Sequence, residues 1–84
     1  MNAKAFKKNQ EEFNNIKEKI NKFLSLNLGL DLTKYHSIAF TNNETAARAI
    51  EKEYNHYGWD IKLDDDLDYH NLSNEIEIFI KLRG

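Results

Sequence analysis

The chain of 84 residues contains no cysteine and no proline. Without cysteine it can form neither a disulfide nor a thiolate zinc site, which is typical of proteins in a reducing compartment, and we expect a cytoplasmic location. No run of about 18 apolar residues is present, so we expect no segment to span a membrane. The basic N-terminal stretch leads into polar residues rather than an apolar run, so we expect no secretory signal.

The short length limits the functions that the chain can carry. A domain of this size buries only about 60–65% of the surface of its unfolded chain, so its core is small. A closed catalytic cavity of several hundred Å³ would take up much of that core. The sequence also has no glycine-rich phosphate loop and no nucleophile motif. We therefore expect a single domain over residues 1–84 that is not an enzyme and holds no cofactor.

The composition is biased toward a few residue types. Valine is absent, lysine outnumbers arginine ten to two, and asparagine, lysine and isoleucine together exceed a third of the chain. The codons of these three residues are rich in A and T. The bias indicates an A/T-rich genome, such as that of a low-GC bacterium or one of its phages.

An amphipathic helix is predicted over residues 4–26, within an N-terminal unit of residues 1–28. Its apolar residues recur at helical spacing and form one face, while lysine, asparagine and glutamate occupy the opposite face. Gly29 is expected to end the helix. The apolar face consists of Phe6, Phe13, Ile16, Ile20, Phe23 and Leu24.

Residues 35–84 predict a β-α-β-β unit. A strand over 35–41, with Ile38 and Phe40 on one face, leads into a helix that opens on the capping-box spacing of Thr41 and Glu44 and closes at Gly58. Residues 59–63 and 76–82 alternate apolar with polar and predict two antiparallel strands. The order α-β-α-β-β indicates an α+β fold, a small three-stranded antiparallel or mixed sheet with two helices on one face. Strand order stays open between a crossover and a meander.

Charge divides the chain into two halves of opposite sign. Residues 1–34 carry seven lysines against four acidic residues, whereas residues 35–84 carry five basic residues against ten acidic ones. Such an asymmetry bears on partners and electrostatic steering rather than on fold. The acidic candidates for partner binding are Asp60, Asp64, Asp65, Asp66, Asp68, Glu75 and Glu77.

These carboxylates favour a binding protein that contacts a basic surface. Proteins that handle nucleic acids carry positive grooves, and a carboxylate-lined face can occupy such a groove as a nucleic-acid mimic. Small inhibitors of CRISPR nucleases and of DNA repair enzymes, encoded by phages and mobile elements, work in this way and provide a functional analogy. Tyr57 and Tyr69 are expected to add desolvated contact. An acidic solvated sheet face without a partner stays an alternative.

A second function follows from the N-terminal half. A homodimer could form through the apolar face of the first helix, with lysines of that helix touching DNA or RNA. Glutamates interrupt the row of lysines, and the helix has no arginine for bidentate base contacts.

A third function is a calcium site in the acidic turn. Asp64, Asp66, Asp68 and Glu75 match positions 1, 3, 5 and 12 of an EF-hand loop. Position 6, which is normally glycine, is Tyr69, and the flanking segments read as strands rather than helices. The calcium reading is therefore the weakest of the three, and we expect no metal.

Overall fold

A computed structural model of the protein describes residues 1–65 and 75–84. Its elements are α1 (Ala3–Leu26), β1 (His36–Thr41), α2 (Glu44–His56), β2 (Trp59–Asp64) and β3 (Ile76–Leu82). The order and the antiparallel sheet confirm the predicted α+β fold with two helices and three strands. Among the described helices, none has the length and apolarity needed to cross a lipid bilayer.

The sheet has the strand order β1-β3-β2, with β3 antiparallel to both neighbours. Strands β1 and β2 therefore run in the same direction on either side of β3, which makes a split β-α-β arrangement. The predicted antiparallel pairing of the last two strands is confirmed, but a meander is not what forms. The central strand is β3, which has the longest apolar alternation. There its inward side chains have a neighbouring strand on each side.

The core lies between the two helices and one face of the sheet, here called the inner face. Isoleucines from α1, α2 and the sheet meet there. Trp59 and Leu63 of β2 are partly buried and pack against them. Tyr54 of α2 is buried as predicted. The fully buried large side chains are Ile16, Ile20, Ile50, Ile78 and Ile80.

Asparagines, rather than the predicted residues, cap the helices. Helix α1 ends at Leu26, before Gly29, because the Asn27 side-chain amide donates to the carbonyl of Phe23 at 2.8 Å. Helix α2 starts on Asn43, whose side-chain oxygen accepts from the backbone N–H of Ala46 at 2.9 Å. The predicted capping box was therefore wrong.

Thr41 cannot cap α2 because it is still part of β1. Its buried hydroxyl accepts from the backbone N–H of Asn43 at 3.0 Å and donates to Glu12 at 3.1 Å. The side chain of Thr41 thus ties α1 to the junction between β1 and α2. The end of α2 is as predicted, since Gly58 has a φ of 92°, a backbone conformation that glycine adopts without strain.

A β-bulge changes which residues of β1 face the core. The register with β3 shifts between Ser37 and Ala39, so Ile38 and Ala39 both contribute to the core. After the bulge the alternation continues with Thr41 inward and Phe40 outward, and Phe40 is 54% exposed. The prediction that Ile38 and Phe40 share one face was wrong, because a strict two-residue period does not allow for an inserted residue.

Candidate protein-binding face of the sheet

The face of the sheet opposite the helices, here called the outer face, carries the candidate site. Register places Phe40 beside Glu77 and Glu77 beside Asp64, so these three side chains cross the three strands in one row. The next row contains Ser37, Phe79 and Lys62, and the last pair is Lys81 with Asp60. Both helices pack on the inner face, so this mixed charged and aromatic surface faces away from the core.

Four acidic residues lie at one end of the sheet, where β2 ends and β3 begins. Asp64 and Glu77 are directly opposite each other, Asp65 follows Asp64, and Glu75 precedes β3. We call Asp64, Asp65, Glu75 and Glu77 the acidic end. The Ser37 hydroxyl donates to Oε2 of Glu77 at 2.6 Å, which orients that carboxylate. Like charges directly opposite each other do not stabilise a sheet.

Asp60 lies at the other end of β2 and is not part of this cluster. Its carboxylate pairs with Nε of Arg83 at 3.2 Å, and Lys81 is directly opposite it in the register. Asp60 and Asp64 are four positions apart along the strand, which corresponds to about 13 Å. The negative charge at this end is therefore balanced within the chain.

Aromatic and basic residues occupy the middle of the outer face. The ammonium group of Lys62 lies 4.7 Å from the ring centroid of Phe79 and 4.9 Å from that of Tyr35. The ammonium group of Lys81 lies 4.9 Å from the same Tyr35 ring. This cluster was not predicted from the sequence. The one indication of it was Phe79, an aromatic residue between Glu77 and Lys81 on the polar side of the clearest predicted strand.

Tyr57 is exposed as expected but lies far from the acidic end. It follows α2 directly, next to the start of β2, and is 63% exposed. Its ring packs edge-on against Tyr54, with 6.4 Å between the ring centroids. The structure thus separates this candidate anchor from Asp64 and Glu77.

Tyr54 is the buried polar group of this region. Its hydroxyl donates to the side-chain oxygen of Asn21 at 2.9 Å, which joins α2 to α1. Burial, together with the nearby charge of Glu53, raises the pKa of Tyr54 to about 12. The folded structure therefore favours the neutral, protonated form of the Tyr54 side chain.

Three of the predicted partner-binding residues, Asp66, Asp68 and Tyr69, lie outside the described residues. The calcium alternative depends on Asp66 and Asp68 together with Asp64 and Glu75, so it stays a prediction. Within residues 1–65 and 75–84, no group of three or more side chains is arranged to hold a metal ion.

The apolar face of α1 is used within the monomer rather than left open for a second copy. Ile16 and Ile20 are buried in the core, and Phe13 and Phe23 pack against it. Only Phe6, which is 57% exposed, remains mainly accessible among the residues proposed for dimerisation. A homodimer through this whole face would require Ile16 and Ile20 to leave the core.

The lysines of α1 differ in their surroundings. Lys17 pairs with Glu53 at 3.0 Å and lies over the ring of Phe13, so it serves the contact between the helices. The others are exposed, and their contact with DNA or RNA stays a prediction: Lys4, Lys7, Lys8, Lys19 and Lys22.

An apolar cleft of about 280 Å³ lies between the N-terminal part of α1 and α2, lined by residues that include Phe6, Phe13 and Ala49. Among the described residues, those that line it carry no aspartate, glutamate, histidine, lysine or arginine side chain.

No family model matches the chain, and comparison with curated proteins and with solved structures finds no match.

Proposed function

We propose that the protein is a non-enzymatic binding protein whose acidic end engages a basic surface of a nucleic-acid-handling protein. One observation carries this proposal: Asp64 and Glu77 are directly opposite each other on a sheet face that neither helix covers, and Asp65 and Glu75 adjoin these two strands in the chain. The carboxylate at the other end of β2 pairs with Arg83.

The physical basis is competition for a positive groove. A groove that binds nucleic acid attracts negative charge, and much of its affinity comes from neutralising phosphates. Carboxylates on a small rigid sheet can occupy the same charges. Concentrated charge also speeds encounter and fixes orientation, which are the main contributions of electrostatic complementarity to binding.

The chain would act as an inhibitor that excludes nucleic acid from its partner. The analogy with inhibitors of CRISPR nucleases and DNA repair enzymes, encoded by phages and mobile elements, supports this role by size and charge alone. A chain without cysteine is suited to a reducing compartment such as the cytoplasm.

The test compares capture of partners by three versions of the immobilised chain. The first is the wild type, and the second has the acidic end neutralised as Asp64→Asn, Asp65→Asn, Glu75→Gln and Glu77→Gln. The third is a control with the same change in charge on the helices, made by replacing Glu11, Glu18, Glu44 and Glu51 with glutamine. Each is incubated with nuclease-treated lysate of an A/T-rich bacterium, and bound proteins are identified by mass spectrometry.

We expect the wild type and the control to capture the same nucleic-acid-binding proteins, and added duplex DNA or RNA to release them. The variant neutralised at the acidic end should capture none of them. Capture that survives this neutralisation, capture that competing nucleic acid does not reverse, or no specific capture would each contradict the proposal. Filter binding of labelled DNA by the chain alone at low salt, abolished by replacing the exposed lysines of α1, would favour the accessory role instead.

A further inference from the structure

One row across the outer face combines an exposed aromatic ring with carboxylates. Phe40 of β1 is directly opposite Glu77 of β3, and Glu77 is directly opposite Asp64 of β2. Directly opposite residues of antiparallel strands have Cβ atoms about 5 Å apart. We call Phe40, Glu77 and Asp64 the cross-strand row.

The central carboxylate of this row is held in place. The Ser37 hydroxyl donates to Oε2 of Glu77 at 2.6 Å in an exposed hydrogen bond. Among the described residues, no lysine or arginine forms an ion pair with Glu77. One carboxylate edge is thus positioned before any ligand arrives, which reduces the loss of side-chain entropy on binding.

The aromatic member of the row is accessible. Phe40 is 54% exposed, and in the described part of the chain no cation lies over its ring. In the neighbouring row, Lys62 of the chain itself lies over Phe79 and Tyr35. The outer face therefore already pairs cations with aromatic rings one row away from Phe40.

We propose that the cross-strand row is the site that receives an arginine side chain of the protein partner. This inference rests on the proposed function and specifies the group that the acidic end recognises. A guanidinium group is planar, so it can stack on the ring of Phe40 while its N–H groups donate to the neighbouring Glu77. The opposite carboxylate of Asp64 adds negative charge on the far side of Glu77.

The same geometry disfavours lysine. An ammonium group is compact and strongly hydrated, and it cannot stack on a ring and donate in a fork at the same time. Carboxylates also favour arginine, because the guanidinium can bind them through two N–H groups. The part of the preference that depends on the ring of Phe40 is therefore the signature of this site.

The test measures binding of a hexa-arginine peptide and a hexalysine peptide to the full chain by NMR titration. We expect the wild type to bind hexa-arginine about three- to fivefold more tightly than hexalysine, a ratio in the range of exposed cation–π contacts. Shifts should centre on Phe40 and Glu77. Phe40→Leu should lower the ratio by at least about twofold, and Phe40→Tyr, which keeps a ring, should retain it. Tyr57→Leu, which removes another exposed ring far from the row, serves as the control and should also retain the ratio.

The outcomes separate this inference from the proposed function. Equal affinity of the wild type for the two peptides, or a ratio that survives Phe40→Leu, overturns the arginine site but leaves cation binding by the acidic end intact. If neither peptide binds, or if Glu77→Gln leaves both affinities unchanged, the acidic end does not bind cations and both ideas fail. Unchanged dispersion of the amide signals shows that each variant is folded.

Discussion

Alternate residues of β3 face two different environments. On the inner face, Ile76, Ile78 and Ile80 are buried among the helices. On the outer face, Glu77 and Lys81 lie on either side of Phe79, and neither charged group serves the core. Adjacent positions of one strand thus differ in role, since the inner set packs in the core while the outer set belongs to the face proposed to bind a partner.

The largest effect should come from opening the inner face. Ile78→Ala removes a fully buried side chain from the central strand, and we expect it to lower the free energy of unfolding by about 3–4 kcal/mol. Urea titration followed by circular dichroism measures this change. The outward neighbour Glu77→Ala, which loses only the bond from Ser37, should cost about 1 kcal/mol or less. Similar losses for the two variants would contradict the division of tasks.

Alkaline pH should weaken the helical layer that covers the inner face. The pKa of Tyr54 in the folded chain is about 12, above its ordinary value of 10. The folded state therefore keeps the proton longer than the unfolded state, so the contribution of Tyr54 to stability is complete below pH 10 and disappears between pH 10 and 12. Unfolding free energy measured across this range should fall for the wild type. Tyr54→Phe should flatten the fall, and an unchanged slope would exclude Tyr54 as its source.

A charge reversal on the outer face should change binding without a matching change in stability. Glu77→Lys removes a negative charge from the acidic end and adds a positive one, so affinity for hexa-arginine at low salt should drop roughly tenfold. The free energy of unfolding should change by no more than about 1 kcal/mol, as is usual for an outward-facing position. Glu11→Lys makes the same charge change on α1 and should leave the affinity nearly constant. An equal drop in both variants would mean that only net charge matters.

The smallest effect should come from the balanced end of the outer face. Asp60→Asn breaks an ion pair with Arg83 that is partly open to solvent, and such pairs contribute about 0.5 kcal/mol or less. Asp60 is about 13 Å from Asp64, farther than the screening length of roughly 10 Å in 0.1 M salt. Peptide affinity at that salt concentration should therefore stay unchanged. A loss as large as that from Glu77→Gln would show that the two ends act as one surface.

The sequence predicted the structure best where the two-residue alternation of apolar side chains matches the packing of the core. The alternation through residues 59–63 and 76–80 predicted which side chains of β2 and β3 face the core, and it also predicted that these strands pair. Leu82, at the end of β3, is an exception because it is 44% exposed. The predicted capping box was wrong because Thr41, although threonine is a common N-cap residue, is the last residue of β1. Strand order could not be derived from local patterns, since it depends on long-range packing that places β3 between β1 and β2.

The sequence predicted the positions of some candidate residues. Asp64 and Glu77 lie on the outward side of neighbouring strands as predicted, because alternation determines which face of the sheet each residue occupies. The separation of Asp60 depends on Arg83, a residue 23 positions away in the chain, and no local pattern reveals that pair. Phe40 was missed as an exposed ring because a bulge, which leaves no clear mark in the sequence, reverses its direction.

The position of β3 in the chain also bears on how the protein is made. Strands β1 and β2 each have β3 as their neighbour, and β3 is translated after both. While the nascent chain emerges from the ribosome, α1 and α2 can form helices from local contacts. The backbone N–H and C=O groups of β1 and β2 still have no neighbouring strand to pair with. A translation product that stops before residue 76 would carry two unpaired strands, and such edges pair readily with other chains and aggregate.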